Sequence, residues 1–198
     1  MNLAHAVLLF VAMLPASSQP ISSMERKVAL ERLRTSRDRF LQSIESLSES
    51  QWRFKPSPFR WSVAECAEHV AATEEQYLLT LTRLLESPPP ADGDSTLKDG
   101  ELSAIYTDRN LKRTAPQSLQ PKGRWPNRSH LIDHFNQTRA KVIAIAETTQ
   151  APLRAYRSRA AYQNPMDGYQ WFLRFAGHCE RHTDQIEEVK GHPDFPKN

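Results

Sequence analysis

Ser62-Val63-Ala64-Glu65-Cys66-Ala67-Glu68-His69-Val70 is the stretch on which the fold turns. Ser62 and Glu65 stand at the spacing of a capping box, in which each side chain satisfies the other's otherwise unpaired backbone amide at a helix start. From there Cys66, Val70, Thr73, Tyr77, Leu81 and Leu84 recur at three- and four-residue steps, the pattern of a helix with one buried face. Pro88-Pro89-Pro90 ends it. His69 falls on the inward side of this helix, about two turns from its start, beside Cys66, Val70 and Thr73.

Upstream, Leu30, Leu33, Phe40, Ile44 and Leu47 predict a helix over 24–47, with Glu31, Arg32, Arg34, Asp38 and Arg39 on its outer side. The connector Gln51–Trp61 contains Pro56 and Pro58 and is read as a non-helical strap whose four aromatics need packing partners. Downstream, residues 87–128 form a long Pro- and Gly-containing connection, with a short helix possible over Leu102–Leu111. A third helix is expected over 129–149, with Leu131, Phe135, Val142 and Ile145 inward. After a short basic link, a fourth begins near Asp167, a suitable N-cap, and buries Phe172, Phe175, Cys179, Ile186 and Val189. Gly191 and Pro193 mark its end. These readings give an all-α four-helix bundle with a long crossover connection between helices 2 and 3. Only six glycines, and no Asn-Gly or Asp-Gly turn set between alternating apolar runs, argue against an all-β fold.

The 198 residues favour one domain, and a formal charge of +3 is too small to indicate nucleic acid as a partner. The nine apolar residues from Ala6 to Leu14, followed by Pro15, Ala16, Ser17 and Ser18, match the core and cleavage region of an export signal. The run is shorter than the ~20 residues that a spanning helix requires. The expected division is therefore a signal peptide over 1–20 and a bundle over 21–198, located in the periplasm or outside the cell. Without that signal, the location would be cytoplasmic. Cys66 and Cys179 read as small buried thiols; spacing alone leaves their pairing open.

The histidines carry the chemistry. His178 and His182 are four apart on the fourth helix, so both imidazoles can reach one ion. Their neighbours Phe175, Cys179 and Ile186 place them toward the bundle interior. With His69 they form three neutral nitrogen donors, resembling a catalytic metal site that keeps a position open. Glu65 and Gln185 stand close enough along their helices to orient the ligands. His130 and His134 are also four apart, but lie one position off an apolar face and read as surface residues.

The run Trp61–Val70, preceded by Trp52-Arg53-Phe54-Lys55-Pro56, resembles the DinB-like superfamily, as does His178-Cys179-Glu180-Arg181-His182-Thr183-Asp184-Gln185-Ile186. The similarity spans about residues 25–196. It implies a four-helix bundle holding a divalent metal, zinc or nickel, on His69, His178 and His182. Members of known activity include thiol-dependent transferases and isomerases, so the resemblance points to a site more than to one reaction.

Two classes of function follow. The first is a metal-dependent enzyme, of hydrolase or thiol-transferase type, with Glu65 handling protons and Trp61, Trp52 and Phe59 walling the pocket. In that reading the basic segment 109–128 (Arg109, Lys112, Arg113, Lys122, Arg124, Arg128, no acid) recruits an anionic small-molecule substrate. The second is a non-catalytic, metal-stabilised binding or stress-response bundle. A homodimer suits a bundle of this size. The basic segment contains only Trp125 as an aromatic, too few for a base-stacking platform.

Overall fold

The computed structural model describes residues 19–89, 97–159 and 165–197; the expected export signal lies almost wholly outside them. Among the described residues there are six α-helices: α1 (Ser23–Ile44), α2 (Glu49–Arg53), α3 (Val63–Glu86), α4 (Asp99–Thr107), α5 (Arg128–Thr148) and α6 (Gly168–Lys190). Strands β1 (Arg157–Arg159) and β2 (Pro165–Asp167) pair antiparallel ahead of α6, with Ser158 opposite Met166. The chain is mostly helical, as the periodicity predicts. No helix among the described residues is long and apolar enough to cross a membrane.

The four long helices make the bundle. α1 and α3 each pack against both α5 and α6, so the cross-section runs α1–α6–α3–α5. Four capping boxes set helix starts: Ser22/Glu25, Ser48/Gln51, Ser62/Glu65 and Asp167/Gln170. The first helix stops at Ile44 rather than Leu47, because the chain turns through Ser46 at φ +59°. That turn frees Ser48 to cap α2, so Gln51–Arg53 is helical, a correction to the strap expected there. The prolines act only from Pro56 onward.

The described part of the connection between α3 and α5 packs on the bundle. Its helix α4 buries Leu102 and Tyr106 against α6. Gly177 permits the approach: a Cβ there would meet the Tyr106 Cβ at 3.0 Å. The small hairpin before α6 is a departure from the plain basic link expected there.

Two apolar clusters fill the bundle. One gathers Leu33, Tyr77, Leu81, Val142, Phe172 and Phe175; the other Phe40, Ile44, Val63, Val70, Phe135, Ile186 and Val189. Between them along each helix lies a polar layer. Ser36 contributes from α1, Thr73 and Glu74 from α3, Thr138 and Arg139 from α5, and His178 from α6. Within it the fully buried Arg139 meets Glu74 through both Nε and Nη2, with Nε at 2.9 Å from Oε2. Its Nη1 donates to the Leu33 carbonyl at 2.7 Å and to Ser36 Oγ at 2.8 Å. A fork with each guanidinium nitrogen aimed at an acceptor is the form in which a buried charge pair is tolerated.

Candidate metal centre

His69 projects from α3 and His178 and His182 from α6, the two helices packed side by side at this level. One nitrogen from each of the three imidazoles lies within 4.8 Å of one from both others. Among the described residues this is the only cluster of three or more metal-ligating side chains. The spacing argument thus places these three rings together as expected. His69 and His182 are buried and His178 is half-buried.

Second partners orient two of the rings. His69 Nδ1 lies 2.9 Å from the Leu119 carbonyl and His182 Nδ1 lies 2.9 Å from Gln185 Oε1. A carbonyl oxygen only accepts, so His69 carries its proton on Nδ1 and presents a bare Nε2 inward. Gln185 does the same for His182 when its Oε1 faces the ring. His178 Nε2 stands 3.2 Å from His69 Nε2, while its buried Nδ1 has no hydrogen-bond partner among the described residues. Without an ion, the proton between the two Nε2 atoms belongs to His178, which leaves its Nδ1 a bare and buried acceptor. Three convergent imidazole nitrogens suit a late first-row divalent ion, and the residues present fit one.

The electrostatics favour the neutral, ligating form of all three rings. Burial lowers the pKa of His69 from the ordinary 6.5, against the raising effect of its bond to Leu119. Burial, and then mutual proximity, hold His178 and His182 well below it. The charged groups that add to this lowering are arginines: Arg124 on His69, Arg174 and Arg181 on His178, Arg181 and Arg109 on His182. No carboxylate belongs to the three-histidine cluster.

Other expected site residues fall in different places. Trp61 does wall the cluster, its ring 5.0 Å from His69 and 6.3 Å from His182. Tyr77, which sequence reasoning treated as core, meets His178 edge to face at 5.5 Å. Trp52 instead packs under Arg128, with the guanidinium 4.6 Å from its ring, and Phe59 is 97 % exposed. Glu65 has both oxygens engaged, Oε2 by the Ser62 amide at 2.8 Å and Oε1 by Lys55 at 2.9 Å. His130 binds its own cap residue Asn127, and His134 packs tilted against Trp125 near Glu75; the pair forms no cluster.

The basic segment is pinned rather than free. Arg109 forms two bonds of 3.0 Å to Glu188, Arg113 reaches the Ile105 carbonyl, and Arg128 the Leu47 carbonyl. Arg181 of α6 holds the segment from the other side through the Asp108 and Leu111 carbonyls. Cys66 and Cys179 are free and buried; burial raises both thiols, Cys179 to about 12, so neither is a nucleophile at neutral pH.

No curated protein and no solved structure matches the chain. The model of the DinB superfamily matches residues 32–186, from the third turn of α1 through His182 and Gln185 of α6. The chain belongs to the DinB superfamily.

Proposed function

We propose that the chain is a metal-dependent enzyme, a hydrolase or thiol-dependent transferase, that holds one divalent ion, zinc or nickel, on His69, His178 and His182 and acts on a small anionic molecule. The observation that carries this reading is the convergence of three neutral imidazole nitrogens, two of them with their outer nitrogen already engaged. An ion held so would lower the pKa of bound water or stabilise a thiolate. The chain's own residues do the rest. Trp61 and Tyr77 shield the triad from bulk water, and the Arg174 and Arg181 charges favour its neutral form. With no carboxylate among the ligands, the remaining position of a divalent ion favours an anionic partner. Glu65 is the proposed proton carrier; it would have to exchange its Lys55 contact for the substrate while keeping its capping bond.

A non-catalytic, metal-stabilised bundle is the second reading. It is favoured by the depth of His69 and His182, 5 % and 8 % exposed, which suits a closed structural site. The apolar run Ala6–Leu14 supports a proposal of export to the periplasm or exterior, testable by N-terminal sequencing of the mature protein.

The test is metal content by elemental mass spectrometry on residues 21–198 prepared without affinity histidines, beside a His178→Ala/His182→Ala variant. About one equivalent in the parent, lost in the variant, supports the site and directs substrate screening to that metal. Absence of metal from both, even after reconstitution, overturns the proposal.

A further inference from the structure

Glu68 precedes His69 and is itself a buried carboxylate, 8 % exposed. It is not one of the three clustered ligands. Its Oε1 accepts from the Lys122 amide at 2.7 Å and from the Arg124 amide at 3.2 Å, and its Oε2 from the Gly123 amide at 2.9 Å. Three successive amides can converge on one anion because Gly123 sits at φ +75°, a conformation that favours glycine. The Arg124 side chain adds a charge, its Nε 3.7 Å from the carboxylate.

The gathered segment is the one that supplies the partner of His69. Arg124 Nη2 also donates to the Ser118 carbonyl, tying residue 124 back to the 3-10 turn Gln117–Leu119. Within that turn the Leu119 amide donates to the Pro116 carbonyl at 2.8 Å, and the Gln120 side chain to the Ala115 carbonyl at 3.3 Å. Residues 115–124 therefore behave as one internally braced loop. It meets α3 through two consecutive residues: Glu68 receives its amides, and His69 donates to its Leu119 carbonyl at 2.9 Å.

We propose that Glu68 is a positioning residue of the metal centre: by fastening the 115–124 loop to α3, it sets the Leu119 carbonyl that holds the His69 ring and its tautomer. This rests on the three-histidine metal reading. The carboxylate never touches the ion. It acts through the loop, as outer partners of ligating histidines generally do, and loss of such a partner typically lowers metal affinity 10–100-fold. Replacing one oxygen by an amide NH₂ would set a donor against backbone N–H donors and release that side of the loop.

The experiment compares the parent with Glu68→Gln, and with Arg124→Ala, which loosens the loop without altering α3. Zn²⁺ dissociation constants come from competition with a chromogenic chelator, the visible spectrum of the Co²⁺-loaded protein reports ligand geometry, and circular dichroism verifies the fold. The expected result is one equivalent of metal retained in each folded variant. Affinity should be 10–100-fold weaker for Glu68→Gln and several-fold weaker for Arg124→Ala, with an altered Co²⁺ spectrum in both. Parent affinity and an unchanged spectrum in either folded variant overturn the positioning role while leaving the metal site standing. A parent that binds neither Zn²⁺ nor Co²⁺ overturns the metal reading itself, and this inference with it.

Discussion

Acidification should destabilise the metal-free protein through its histidine triad, by an amount that the structure bounds. In the unfolded chain each of the three imidazoles titrates near 6.5; in the folded chain burial holds all three below that value. The unfolded state then binds more protons than the native state whenever the pH is below 6.5, so stability falls with pH in that range. The loss begins near 6.5 and stops only once the folded-state values are passed. At pH 5.5 an imidazole that is free to protonate when unfolded and fully neutral when folded contributes a loss of about 1.4 kcal/mol. Three such rings give at most about 4 kcal/mol between pH 7.5 and 5.5, a large fraction of the roughly 5–15 kcal/mol by which domains are stable.

Urea denaturation of chelator-treated protein at pH 7.5, 6.5 and 5.5 measures this directly. The control is His69→Gln/His178→Gln/His182→Gln, which retains His130, His134 and His192 and every titrating acid, so their contributions cancel in the difference. The parent should lose 2–4 kcal/mol more than the triple variant, on the order set by the same proton linkage. If the two show the same pH dependence, the triad takes up protons as freely folded as unfolded, and the case for three neutral ligands in a desolvated cluster collapses.

Metal should work in the opposite sense: Zn²⁺ at 100 times its dissociation constant is expected to add about 2.7 kcal/mol at pH 7.5, and His182→Ala should abolish that gain in a thermal melt. Arg139→Ala should destabilise by about 3–5 kcal/mol because it strands the buried Glu74 carboxylate, whereas Arg139→Met with Glu74→Leu should recover most of the loss in urea titration. Glu65→Gln keeps the reciprocal cap with Ser62 and gives up only the partly exposed Lys55 pair, so the urea midpoint should change by less than about 1 kcal/mol and metal content should be unchanged. With a substrate in hand, the same variant should lower turnover about 10²-fold or more if Glu65 carries the proton, and leave it untouched if Glu65 only caps.

The long helices and the His178–His182 pair were legible because both depend on spacing along one chain segment, and His69 because it falls on the inward face of its own helix. Gln185 was legible for the same reason, three residues beyond His182 on the same helix. The α2 cap was available too: Ser48 and Gln51 repeat the Ser62–Glu65 pattern, but Pro56 and Pro58 drew the boundary of the connector too early. Phe59 shows a different limit. A loop residue has no periodicity to say which way it points, and it turns outward. The Leu119 carbonyl is a backbone atom and leaves no mark in the side-chain pattern, so the partner of His69 could not be read in advance. Glu68 was hidden by its charge, since carboxylates are ordinarily exposed and its partners are amides more than fifty residues away.

Arg139 brings these limits together. It lies on the same stripe as Phe135 and Val142, so periodicity alone would have placed it inward, but its charge argues for solvent. Only the pairing with Glu74, 65 residues away, resolves the conflict. Its fork also reaches α1 at Leu33 and Ser36, and the Ser36 carbonyl accepts from Cys179 of α6 at 3.4 Å. All four bundle helices are thus tied at one level. Glu74 is five residues beyond His69 on α3, and Cys179 directly follows His178 on α6. A slip or rotation of α3 would break the Arg139–Glu74 bonds, and one of α6 would break the Cys179 thiol's bond to Ser36. Apolar side chains on both sides would tolerate small slides, because their contacts are not directional. The ion pair would not, since its bonds depend on angle and its charges cannot be left alone in the core. Its main contribution is accordingly to the register of α3, the helix that carries His69, against α5 and α1, and only secondarily to net stability.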